Sequence, residues 1–112
     1  MISPKEIRQL LEKRESVIKH EGNGDNYIVL NEAVCHCSDV QDGQQNAKIK
    51  LNGAWHDAYY NKLMHTLTWQ PNFTANTPLP HIEKAVIYQK EGESKQFYAR
   101  PSDGFTRFIM VQ

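Results

Sequence analysis

The run Lys48-Ile49-Lys50-Leu51-Asn52-Gly53-Ala54-Trp55-His56-Asp57 decides the fold class of this chain. Asn-Gly is the preferred pair for a two-residue type I′ turn, because both central residues of that turn need positive φ and its twist matches the strands it joins. A turn at this point sets Leu51 opposite Ala54, Lys50 opposite Trp55, Ile49 opposite His56 and Lys48 opposite Asp57. These pairs make chemical sense across a strand pair: an ammonium over an indole, a lysine facing an aspartate, and an isoleucine on the core face. A hairpin so specified predicts β structure on both sides of it.

Upstream, Tyr27 to about Ser38 is rich in β-formers, with Tyr27, Val29, Ala33, Cys35 and Cys37 on one face and Ile28, Leu30, Val34 and His36 on the other. Both faces are partly apolar, which suits a central strand. The polar run Ser38 to Asn46 then reads as a loop. At the N-terminus, Ser3-Pro4-Lys5-Glu6 has a capping hydroxyl, a proline at the first helical position and a glutamate three residues after the cap. A helix over about 3–20 follows, with Ile7, Leu10, Leu11, Val17 and Ile18 on one face and Arg8–Glu12 and Glu15–Lys19 spaced to pair outside. Glu21-Gly22-Asn23-Gly24-Asp25-Asn26 ends it.

Downstream, Tyr59 to Trp69 fits either a continuing strand or a short helix, since Tyr60, Leu63, Met64 and Leu67 also fall at helical spacing. Gln70 to Pro80 holds three prolines and no glycine, the mark of an extended connection. Ala85 to Gln89 and Gln96 to Arg100 form a strand pair around Glu91-Gly92-Glu93-Ser94, and Pro101 closes its edge. Asp103-Gly104 reverses the chain into a last strand, Phe105 to Val111, alternating Phe105, Ile109 and Val111 against Thr106, Phe108 and Met110. The expectation is one domain over 1–112, mainly β (α+β). It is a small SH3-like barrel or curled antiparallel sheet, with a β-domain over about 27–112 and one N-terminal helix.

At 112 residues the chain has the size of one domain able to bury a core without staples. Thirteen basic and thirteen acidic residues cancel, so no bulk field draws phosphate backbones or anionic lipid, and any nucleic-acid binding has to be local. There is no apolar signal core and no stretch near the roughly 18 apolar residues of a membrane span, which predicts a cytoplasmic protein with free thiols. The Asn72-Phe73-Thr74 sequon is then unused.

Tyr27-Ile28-Val29-Leu30, Val86-Ile87-Tyr88 and Tyr98-Ala99-Arg100-Pro101 followed by Phe105 resemble, in this order, a family of short, uncharacterised bacterial and phage domains. That family's pattern runs from a Tyr-x-Val-Leu strand through Val-Val-Tyr to a closing aromatic-x-Arg-Pro-x-x-x-Phe, and its members look like small SH3-like β-domains. The resemblance covers the two ends of the chain. The segment over about 46–84, with the Asn-Gly hairpin, has no counterpart in the pattern and reads as an insertion. What the resemblance implies is a fold and a bacterial or phage setting, with no catalytic residue to carry over. Read from chemistry alone, Arg100-Pro101 and Phe105 are an arginine paired with a carboxylate, a strand-ending proline and a core ring.

Cys35-His36-Cys37 offers soft ligands, yet paired cysteines in structural zinc sites are usually spaced by two to four residues, and in a strand His36 points away from both thiols. No metal or cofactor is expected, with Cys35 and Cys37 kept as the candidate ligands, assisted from elsewhere by His56, His65 or His81. His56-Asp57 beside Tyr59-Tyr60 cannot form a relay unaided, and no nucleophile elbow, phosphate-binding glycine loop or paired-histidine motif occurs.

The most unusual local composition lies between Asp57 and Glu83, where there is no acidic residue while Tyr59, Tyr60, Lys62, His65, Trp69, Phe73 and His81 gather. Aromatics with cationic neighbours suit an interface hot spot or stacking on bases, and some of Tyr60, Trp69 and Phe73 are expected to stay exposed. The reading is a non-enzymatic binding module for a protein partner, such as a phage-encoded accessory or inhibitor of a host defence factor. Its candidate residues are Tyr59, Tyr60, Lys62, His65, Trp69, Phe73 and Arg100. The alternatives are a nucleic-acid or nucleotide-binding small barrel, and a metal- or thiol-dependent enzyme. An exposed strand edge leaves room for a dimer.

Overall fold

The computed structural model describes residues 1–13, 16–36, 45–51, 53–68 and 82–111. Among these the chain forms one helix, α1 (Pro4–Glu12), and eight strands: β1 (Ser16–His20), β2 (Asn26–His36), β3 (Gln45–Leu51), β4 (Ala54–Asn61), β5 (Thr66–Thr68), β6 (Lys84–Lys90), β7 (Phe97–Arg100) and β8 (Phe108–Met110). The strand order is β5-β4-β3-β7-β6-β2-β1-β8, and a further parallel pairing of β2 with β5 closes the first six into a barrel. The protein is therefore mostly β, a small closed barrel with an N-terminal helix. β1 and β8 extend the sheet beyond the closure, and β8 pairs with β1 on one side. No helix among the described residues is long and apolar enough to cross a membrane.

The register read from the Asn-Gly turn is the one that forms: Leu51 faces Ala54, Lys50 faces Trp55, Ile49 faces His56 and Lys48 faces Asp57. Gly53 has φ of +79°, the left-handed backbone this turn needs; Asn52 lies outside the described residues. The Lys50 ammonium sits 5.4 Å from the centre of the Trp55 ring, but Lys48 and Asp57, though opposite, form no ion pair among the described residues. The segment without a counterpart in the family pattern supplies β3, β4 and β5, three strands of the closed wall. It is built into the barrel, because β3 lies parallel beside β7 and β5 parallel beside β2.

Alternation along the strands builds two cores on the two sides of this wall. Ala33, Ile49, Tyr60, Leu67, Ile87 and Phe97 belong to the cluster inside the barrel. Outside it, Ile7 and Leu10 of α1 pack with Ile18, Val29, Val86, Tyr88, Phe105 and Phe108. Strand β6 serves both cores, which is why Ala85-Val86-Ile87-Tyr88 is buried at every position. A bulge between Val29 and Asn31 lets β2 pass from the outer cluster, through Val29, to the inner one, through Ala33.

The capping box at the N-terminus is present: the Glu6 amide donates to Ser3 Oγ at 3.2 Å and the Ser3 amide to Glu6 Oε1 at 3.1 Å. Ser3→Ala is expected to cost about 1 kcal/mol, read as a lower melting temperature in thermal unfolding followed by circular dichroism. No change would mean that α1 is held by Ile7 and Leu10 alone.

Three expectations are corrected here. The helix ends at Glu12 and not near residue 20; Lys13 is extended, and Ser16–His20 forms β1, hydrogen-bonded to β2. Val17 and Ile18 fit helical spacing by coincidence. As β-branched residues they gain more from pairing, and the same Gly-Asn-Gly-Asp that can stop a helix here turns a hairpin. Arg8 accordingly bonds Glu32 on β2 at 3.2 Å and not Glu12. The last strand shrinks to Phe108–Met110, and Phe105 enters the core from a turn, with the Phe108 amide donating to its carbonyl. Phe105 and Phe108 are thus buried together while Ile109, Met110 and Val111 stay exposed. The ambiguous stretch from Tyr59 is strand to Asn61, a turn, then β5; Trp69 itself lies outside the described residues.

Candidate functional site

Where β1, β3, β7 and β8 come together, two neighbouring hollows open on the outer side of the wall. One, of about 500 Å³, is lined by the rings of Tyr27, Trp55, Tyr88, Tyr98 and Phe108, together with Lys48, Lys50, Asn23 and Gln96. The second, of about 810 Å³, has few rings and is lined by Leu51, Ile82, Pro101, Gly104, Thr106 and Arg107, with Asp103 the carboxylate among its lining residues. His20, Lys50 and Arg100 line both hollows.

Strand geometry makes this convergence. On β3, Ala47, Ile49 and Leu51 point into the barrel, so Lys48 and Lys50 point out. On β7, Phe97 and Ala99 point in, so Tyr98 and Arg100 share the outer face. The parallel register of β3 and β7 sets Lys48 beside Tyr98, and β6 sets Tyr88 beside Tyr98 from the other side. The Tyr88 and Tyr98 rings stack at 5.7 Å, Trp55 meets Tyr98 edge-on at 5.6 Å, and Tyr27 packs against both tyrosines.

Arg100 is 8% exposed and sits at the junction. Its Nε donates to the Tyr88 hydroxyl at 2.7 Å and its Nη1 to the Gly104 carbonyl at 3.1 Å. Its guanidinium carbon lies 5.2 Å from the centre of the Trp55 ring and 5.0 Å from that of Phe108, within the range of cation-π attraction. The expected carboxylate partner is not there: among the described residues no acidic group lies within 4.0 Å of it. A guanidinium carries five N–H donors, so among the described residues these two bonds leave part of its fork uncommitted.

The electrostatics agree with a surplus of positive charge. Burial, then the Arg100, Lys50 and Arg107 charges, hold the His20 imidazole below its ordinary value, with Asp25 opposing. His20 Nδ1 accepts the Gly22 and Asn23 amides at 3.0 and 3.3 Å, which needs that nitrogen unprotonated. Lys50 is likewise held down by burial and by Arg100 and Arg107. Burial pushes the Tyr88 phenol up to about 12, so it is a neutral partner of the arginine.

The residues singled out between Asp57 and Glu83 do not join this groove. Of Tyr60, Trp69 and Phe73, some of which are expected to be exposed, Tyr60 is a core residue of the barrel, its hydroxyl donating to Asn31 Oδ1 at 2.8 Å. Hydrogen bonding at one end and an apolar body let it fill the interior where a lysine cannot. Tyr59 is half-buried on β4, and Lys62 reaches over the Phe97 ring at 5.9 Å. His65 is exposed in the β4–β5 turn at φ of 52°. Trp69, Phe73 and His81 lie outside the described residues, as does Cys37. Cys35 is a free, partly buried thiol pushed up to about 12 by burial and by Glu32. Among the described residues no three metal-ligating side chains gather.

Of the residues named from sequence, Arg100 is the one the groove brings into play. Lys48, Lys50 and Trp55 enter the sequence reading only as hairpin pairs and Tyr98 only within the closing motif, while His20 and Arg107 have no part in it. The period-two spacing of Lys48 with Lys50 and of Tyr98 with Arg100 was the available signal. No family model, curated protein or solved structure matches this chain.

Proposed function

We propose that this protein is a non-enzymatic binding module that captures an anionic ligand in the groove around Arg100. The observation that carries the reading is a nearly buried arginine shared by two hollows, flanked by Lys50, His20 and Arg107, with no carboxylate within 4.0 Å among the described residues. Removing a cation from water costs several kcal/mol in proteins unless an opposite charge compensates. Here a phenol, a carbonyl and two rings compensate in part, and an incoming anion would complete the set. The resemblance of the chain's ends to small SH3-like bacterial and phage domains agrees with a module of this kind.

The test is thermal unfolding with inorganic pyrophosphate. Binding to the folded state raises the melting temperature by mass action, the shift fades with added salt, and it is largely lost in Lys50→Ala and in Arg107→Ala. A melting temperature unmoved by pyrophosphate at low ionic strength would refute the anion site.

A second reading, a protein-binding module, is favoured by a separate feature. Leu63 and Met64 project from the β4–β5 turn at 94% and 70% exposure, held there by the Asn61 side chain, which accepts both of their amides at 3.0 Å. Apolar side chains presented on a fixed turn are the form of an interface anchor.

A further inference from the structure

We propose that the ligand of the groove is a nucleoside phosphate, with its base against the rings of the first hollow and its phosphate among the cations of the second. The inference rests on the anion-binding reading above and names the class of anion. Three features carry it together. The two hollows differ in their rings: those of Tyr27, Trp55, Tyr88, Tyr98 and Phe108 line the first together with Lys48, Lys50 and Arg100, whereas the second has Lys50, Arg100 and Arg107 with Asp103 and lacks these rings. A ligand with a flat ring at one end and an anionic group at the other would set the ring against the aromatic side chains of the first hollow and the anion between Lys50, Arg100 and Arg107.

Trp55 is 42% exposed and lines the first hollow, with the Lys50 ammonium 5.4 Å and the Arg100 guanidinium carbon 5.2 Å from its ring centre, so a base bound there would meet an indole and two cations. Stacking on aromatic side chains beside arginine and lysine is how proteins hold bases without reading a duplex groove. The same hollow is lined by two carboxamides, Gln96 and Asn23, of which Asn23 is engaged at both ends, its Nδ2 donating to the Tyr27 hydroxyl at 3.3 Å and its Oδ1 accepting the Asp25 amide at 2.8 Å. A carboxamide both donates and accepts, which matches the mixed donor and acceptor edge of a base and has no use against a plain phenyl ring. The Gln96 amide nitrogen is engaged by the Phe97 carbonyl at 2.9 Å, and its oxygen accepts no bond among the described residues. A hollow of about 500 Å³ is of the size that small-molecule ligands occupy, too roomy for a bare phosphate.

Titration calorimetry on the full chain tests this with the four ribonucleoside 5′-monophosphates, their nucleosides, inorganic phosphate, phenyl phosphate and single-stranded octanucleotides as probes. The expected result is that at least one monophosphate binds about tenfold or more tighter than its nucleoside, inorganic phosphate and phenyl phosphate. Trp55→Ala should then bring that monophosphate down to the level of inorganic phosphate, and Lys50→Ala should weaken both, with circular dichroism confirming that each variant is folded. An octanucleotide binding more than about tenfold tighter than its monophosphate makes a single strand the source of the ligand. Equal or weaker binding makes it the free nucleotide, and either supports the proposal. Inorganic phosphate or phenyl phosphate binding as tightly as every monophosphate overturns the nucleoside assignment while leaving an anion site in place. Failure of every anion to bind overturns both.

Discussion

Phe108→Ala is expected to destabilise the protein by about 3–5 kcal/mol, the range for removing a buried aromatic ring. The ring is fully buried and meets His20 edge-on at 4.9 Å, Phe105 at 5.3 Å, and Tyr27 and Tyr88 at 5.8 Å each. It also carries the Arg100 guanidinium at 5.0 Å. Its strand, β8, pairs with β1 over three residues, so Phe108 is the main apolar tie of the C-terminal segment to the outer core. Truncation would therefore leave a cavity and also remove the floor of the groove. Against a total stability of about 5–15 kcal/mol, a loss of this size leaves a marginal fold. Urea unfolding measures it, and Ile109→Ala, a neighbour 39% exposed, is the control expected to cost less than about 1 kcal/mol. Equal effects from the two variants would mean that the outer core does not bind β8.

Which features could be read from the sequence follows from how local their causes are. The hairpin around Gly53 and the capping box of Ser3 and Glu6 are contests settled within ten residues, and among the described residues both form as read. Ser16–His20 was misread because Val17 and Ile18 satisfy helical spacing after Leu11, and the hairpin with β2 that overrides it depends on a partner strand. Parallel pairings are less visible still. The β3–β7 ladder joins residues about fifty apart, and the β2–β5 ladder that closes the barrel about thirty apart, with no turn motif to announce either. The groove inherits this difficulty, since Lys48 and Tyr98 are neighbours through one of these ladders alone. Arg100 was recognisable as a residue of interest in the closing motif. That its partners are Tyr88, Gly104 and two rings, and not a carboxylate, depends on β6, β4 and the turn after β7 meeting in space. The acid-free stretch drew attention by composition, which does not distinguish a core tyrosine such as Tyr60 from an exposed one.

The two cores also give the protein a characteristic alkaline response. Burial pushes the Cys35 thiol from 9.0 up to about 12 and the Tyr88 phenol from 10.0 up to about 12. Burial raises Tyr60 and Tyr98 in the same direction. In each case folding favours the neutral, protonated form, whereas the unfolded chain releases the proton at the ordinary value. Below pH 9 both states keep these protons, and the groups add no pH dependence. Between about pH 9 and 12 the unfolded state holds fewer protons than the folded one, so stability falls as pH rises. For Tyr88 this loss is on the order of 1 kcal/mol by pH 11, from about 1.4 kcal/mol per unit beyond its unfolded value. Cys35 adds less than its shift suggests, because solvent reaches part of the thiol and screens the effect. Urea midpoints at pH 8.0 and pH 10.5 should therefore differ, with the higher pH less stable, and Cys35→Ala should flatten the difference without touching the groove. Tyr88→Phe should flatten it too, at the cost of the hydroxyl that accepts the Arg100 Nε–H. An unchanged midpoint between the two pH values would mean that Cys35 and Tyr88 meet water in the folded state, and that the outer core is looser than its stacked rings imply.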